Sequence, residues 1–152
     1  MVSVMMSAAV MAVEYLACSA SNTSHSTKSV QRVNLGGKIE YQGYTVGNST
    51  EGKTIVRLTL ACKGSMDKDY ELWFHLISSD GQQMTYDQML APPTSQWRIG
   101  EYHIHEVHLD DAPRGEFAVE FGIWVRGQDD LRLTRTDNGE AGVRIDKIAV
   151  SQ

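Results

Sequence analysis

From Lys38 onward the chain alternates apolar and polar residues with a period of two. In KTIVRLTLACK, Val56, Leu58, Leu60 and Cys62 fall on one face and Arg57 and Thr59 on the other. DYELWFHLIS turns Tyr70, Leu72, Phe74 and Leu76 inward, and GEFAVEFGIWVR does so with Phe117, Val119, Phe121, Ile123 and Val125. Successive side chains of a strand point to opposite faces, so this alternation predicts antiparallel sheets with one buried and one wet face. Turn residues punctuate the runs at Gly47-Asn48, Asp80-Gly81, Pro113-Arg114-Gly115 and Asn138-Gly139. The pattern predicts about eight strands, near 38–46, 53–63, 69–79, 82–87, 101–109, 115–126, 131–135 and 143–150. No amphipathic helix lies among them, so the fold class is all-β, an antiparallel β-sandwich or jelly roll.

The N-terminus breaks the pattern. Residues 1–20 are an apolar run interrupted by Ser3, Ser7 and Glu14, and residues 21–32 are a Ser/Thr-rich linker. Three readings of the run stay open. Leu16-Ala17 before Cys18 resembles a bacterial lipoprotein signal, with Cys18 as the lipidation candidate, although a basic leader is missing. A retained membrane helix is the second, with Glu14 making the span marginal. The third is a helix packed on a partner or on the domain itself. The expected organisation is an apolar N-terminal helix or signal (1–20), a linker (21–32) and one sandwich domain (33–152).

Composition changes the picture in two places. The net charge is −5, and residues 1–37 carry +1 of it, which leaves −6 on the rest. With no cluster of Lys and Arg, nucleic acid is excluded as a partner. The two cysteines, Cys18 and Cys62, form neither a metal-type spacing nor a disulfide framework, and Cys62 reads as a small core residue.

The order of several segments carries a resemblance. DYELWFHLISSDGQQMTYDQ contains a hydrophobic-His-Leu strand before an Asp-Gly hairpin, and PPTSQWRIGE follows. APRGEFAVEFGIWV then leads to LRLT. Over roughly residues 33–135 this resembles the C-terminal β-sandwich module of prokaryotic membrane proteins related to dolichyl-phosphate-mannose-protein mannosyltransferases. Its most specific part is Pro93-Thr94-Ser95-x-Trp97-x-x-Gly100-Glu101. The chain departs from the pattern at Cys62, where such modules usually carry Trp or Tyr, and it lacks the catalytic membrane portion. The resemblance therefore implies a sandwich fold and an extracytoplasmic place beside a membrane, periplasmic or at the cell surface. It implies no glycosyl transfer.

Candidate chemistry concentrates in Ala91–Leu109. His103 and His105 share one strand face, and Glu106 and His108 the other. A His-x-His pair holds zinc only if a neighbouring strand supplies a third ligand, and HEVH is one residue short of the His-Glu-x-x-His motif. These histidines read as solvated surface residues. Asp110-Asp111 diverge in a turn, and no Gly-x-Ser-x-Gly elbow is present. The loop itself reads as a tie. Pro92 and Pro93 stiffen it, Thr94 or Ser95 bonds back to its backbone, and Trp97 folds over the end of the sandwich with its indole N–H on a carbonyl. His75 is expected to hydrogen-bond to this loop. Asp67, Asp69, Asp129, Asp130 and Asp137 are oxygen donors for calcium, without the spacing of a known loop.

These observations point to a non-catalytic protein without metal or cofactor. It is expected to be a lipoprotein-like or membrane-anchored accessory subunit that docks on a membrane protein complex. The alternative is a carbohydrate- or glycolipid-binding module using Trp73, Trp97, Tyr102 and Trp124, since aromatics on a wet sheet face stack on sugar rings. A minor alternative is a histidine-dependent metalloenzyme.

Overall fold

A computed structural model describes residues 31–151. The predicted N-terminal helix, most of the linker and Cys18 lie outside the described residues. Among these residues there are nine strands: β1 Val33–Leu35, β2 Ile39–Asn48, β3 Thr54–Cys62, β4 Glu71–Ile77, β5 Gln83–Thr85, β6 Gln88–Met89, β7 Tyr102–His108, β8 Gly115–Trp124 and β9 Val143–Val150. They form two antiparallel sheets, ordered β1-β2-β3-β7 and β5-β4-β8-β9, with β6 also paired to β4. Two single 3-10 turns, Thr94–Gln96 and Asp129–Leu131, are the only helical elements among the described residues. The all-β, sandwich-like architecture follows the alternation of the sequence.

The inward faces are those read from the pattern. Val56, Leu58, Leu60 and Cys62 of the first sheet and Leu72, Phe74, Leu76, Val119, Phe121 and Ile123 of the second are fully buried. Tyr41 meets Phe121 edge-on at 5.0 Å between ring centroids, joining the sheets. Each such side chain contributes about 1.5–3 kcal/mol by leaving water. Cys62 is a free, buried thiol, and burial raises its pKa.

Two bulges explain where alternation stumbles. In β2, Tyr41 pairs with Leu60 and Gly43 with Thr59, so Gln42 is an extra residue that brings both Tyr41 and Tyr44 inward. In β9, Val119 pairs with Ile145 and Phe117 with Ile148, which turns Ile145 and Ile148 inward three residues apart.

Several boundaries need correction. Residues 131–135 are not a strand. They cross from one sheet to the other by single bonds: Leu133 N–H donates to Ile123 O, and Gly36 N–H to Thr134 O. The run LRLTR alternates but has no ladder to join. Gly47-Asn48 ends β2 rather than turning; the turn is at Ser49–Lys53, where Ser49 N–H donates to Lys53 O. The short strands β1 and β6 lack a periodic run of their own. Asp80-Gly81 does form the β4–β5 hairpin, with Gly81 at φ +84°.

Candidate functional site

The Ala91–Leu109 segment is knitted into the fold at three points and braced within itself at a fourth. Thr94 is fully buried; its hydroxyl donates to Lys68 O at 2.9 Å and accepts from Tyr70 N–H at 2.8 Å. The Ser95 N–H donates to Asp69 at 3.0 Å, and the bonds from Ser95 hold that carboxyl below its usual range. Trp97 Nε1 donates to Pro92 O at 2.8 Å, and its ring stacks on His103 at 4.0 Å. Gly100, at φ +94°, donates to Cys62 O, and Cys62 N–H donates to Glu101 O. Thr94 therefore anchors the loop to the β3–β4 connection, not to its own backbone. Trp97 is 6% exposed. The loop is a tie.

The histidines sit differently from the expectation. His103 and His105 face the half-buried side of β7 with Val107, while Tyr102, Ile104, Glu106 and His108 face out. They are half-buried rather than solvated, and the Trp97 ring stacks on His103. Nε2 of His103 lies 3.4 Å from Glu101, and burial lowers the pKa of His105 against the opposing pull of Glu106. On the outer side Glu106 meets Arg57 at 2.6 Å and is held below its usual range by that bond. Among the described residues no group of three or more His, Cys, Asp or Glu side chains is placed to hold a metal ion. The Asp residues of the loops have local partners: Asp67 Lys38, Asp129 Arg132 and Asp137 Arg135.

Two outward faces remain. On the four-stranded sheet, edge strand β7 displays Tyr102 and Ile104 at 67% and 65% exposure, and Ile99 just before it at 68%. Their cross-strand neighbours are the small residues Ala61 and Thr59. Gln88 Nε2 donates to the Glu106 carbonyl, capping the far end of the strand.

The outer face of the five-stranded sheet is built otherwise. Trp73 is 7% exposed and pairs across the sheet with Gly122. A Cβ at 122 would stand 2.5 Å from Cζ2 of the indole and against the Ala141 carbonyl. The missing side chain is what admits the ring. His75 lies beside it at 5.0 Å between rings, not on the Ala91–Leu109 loop, and pairs with Glu120, which in turn pairs with Arg144. Trp124 lies further along β8 under the guanidinium of Arg132, 5.4 Å from the ring centroid. Trp73, His75, Asp87, Glu120, Trp124 and Arg132 line an open cleft of about 230 Å³. A second, of about 440 Å³, shares Trp73, Glu120 and Arg132 and extends to Arg144. Trp73 Nε1 and Trp124 Nε1 are buried and have no hydrogen-bond partner.

Of the aromatics singled out from the sequence, Trp73 and Trp124 come together in this cleft. Trp97 and Tyr102 do not join them. Asp87, Glu120 and Arg132 were missed as site residues. A wet-face position four residues before Trp124 was the available signal for Glu120. No protein-family model, curated protein or solved structure matches the chain. No helix among the described residues is long and apolar enough to cross a membrane.

Proposed function

We propose that the protein is a non-catalytic accessory subunit, tethered at an extracytoplasmic membrane face by residues 1–20, whose sandwich docks on a membrane protein assembly through β7. The observation that carries this reading is the side-by-side exposure of Tyr102 and Ile104 on an edge strand. An edge strand with apolar residues on its outer face is a surface that another protein covers. Large exposed aromatic and aliphatic groups at such a place supply the anchors of an interface.

The test is photo-crosslinking in native membranes from position 99, exposed just before Tyr102 and Ile104, with Lys147 on the other sheet as the control site. Tyr102→Arg with Ile104→Arg is expected to abolish a stoichiometric crosslink while changing stability by no more than about 0.5 kcal/mol, as for exposed positions generally. Equal crosslinking from both sites, or a crosslink that survives the double substitution, defeats the reading.

A further inference from the structure

We propose that the cleft on the outer face of the five-stranded sheet is a second, separate binding site, for a neutral saccharide. Its lining mixes flat apolar surface with both kinds of hydrogen-bonding group. Trp124 supplies an indole face beneath Arg132, and the Trp73 and Trp124 indole N–H groups, buried beside the cleft, lack a partner. Asp87 spends one oxygen on the Phe74 N–H at 3.2 Å, which leaves its other oxygen to accept. Glu120 stands between His75 and Arg144 in the cross-strand row. Arg132 adds a fork of donors over the Trp124 ring.

The charge pattern selects the ligand class. A purely anionic ligand meets Glu120 and Asp87, on the two flanks of β4, and a cationic one meets Arg132, which already occupies the Trp124 face. A neutral ring bearing hydroxyls meets neither repulsion. Its hydroxyls donate to the carboxylates and accept from the guanidinium N–H groups, and its C–H face lies on the Trp124 indole in place of Arg132. The 230 Å³ compartment is smaller than a pocket for a drug-sized ligand and suits a single ring, while the adjoining 440 Å³ carries the chain onward. Arg132 is held only at 3.4 Å by Asp129 on an exposed turn, so it can swing off Trp124 to admit the ring.

The test uses the full-length chain in a detergent without sugar groups, labelled with nitrogen-15, and a panel of neutral oligosaccharides of glucose, galactose, mannose and N-acetylhexosamine units. The chain has three tryptophans, hence three indole N–H signals. Saturable binding is expected to shift those of Trp73 and Trp124 and leave that of Trp97 in place. Glu120→Gln is expected to weaken binding about tenfold or more, as the loss of a charged hydrogen-bond acceptor does. Its backbone amide spectrum should stay unchanged, and Glu51→Gln, in the exposed turn after β2, should bind normally. No binding by any member at millimolar concentration overturns the proposal. So does binding that survives Glu120→Gln, or a cleft that answers only to acidic saccharides or inorganic phosphate.

Discussion

Trp97 and Trp73 are almost equally buried, at 6% and 7% exposure, and differ at one atom. The indole nitrogen of Trp97 donates to Pro92 O at 2.8 Å; that of Trp73 has no partner. A buried N–H without an acceptor costs about 1–3 kcal/mol relative to one that is paired. The Trp97 loop is thus finished as a piece of structure, stacked on His103 and pinned through Thr94. The Trp73 face is unfinished in the same sense, and it borders open volume. Burial alone does not distinguish the two indoles; hydrogen-bond completeness does.

The largest effect is expected from removing the strut. Trp97→Ala deletes a ring packed against the core and frees the Pro92 carbonyl, a loss of about 3–5 kcal/mol in chemical denaturation. If Trp97→Ala melts within a degree or two of the parent, the loop holds nothing and the contrast with Trp73 collapses. Next comes Gly122→Ala, which drives a methyl into the Trp73 indole and the Ala141 carbonyl. Overpacking of this kind costs about 1–3 kcal/mol. A neutral outcome would mean that the Trp73 ring moves freely, so the cleft floor is soft.

A paired substitution isolates the single atom. Trp97→Phe loses a hydrogen bond and Trp73→Phe has none to lose, so the former should be the more destabilising by about 1 kcal/mol. Equal losses, measured in the same denaturant series, would show that Trp73 Nε1 is bonded in solution.

How much of this was legible in the sequence depends on whether an interaction is local. The inward faces of β3, β4 and β8 follow from alternation, because a strand of period two leaves no choice of face. The bulges leave a trace, the three-residue spacings of Tyr41 with Tyr44 and Ile145 with Ile148, which can be read only once the partner strand is known. The Pro-Pro-Thr-Ser-x-Trp segment announced its own tie, since Trp97 reaches a carbonyl five residues back. The anchoring of Thr94 to Lys68 and Tyr70 was hidden, being a contact across the fold. The cleft was hidden for the same reason. Glu120 meets His75 through strand register, and Arg132 arrives on a segment whose alternation suggested a strand.

The smallest effect concerns His105, on the Trp97 side, whose ring nitrogen Nε2 is also buried and unpartnered. Burial lowers its pKa from the ordinary 6.5, and neighbouring Glu106 only partly opposes this. In the unfolded chain His105 takes up a proton as the pH falls through 6.5, whereas the folded protein resists doing so until the pH is lower. The unfolded state then binds more protons, so stability must fall with acidification across that interval and level off below the folded value. Asp69, Glu101 and Glu106, all held below their ordinary values, add a separate loss at more acid pH, as they protonate. His105→Gln, neutral at every pH, should abolish the first decline and keep the second. Urea midpoints taken between about pH 7.5 and about pH 3 separate the two. A parent protein whose midpoint rises on acidification from neutrality would mean that His105 is charged in the fold.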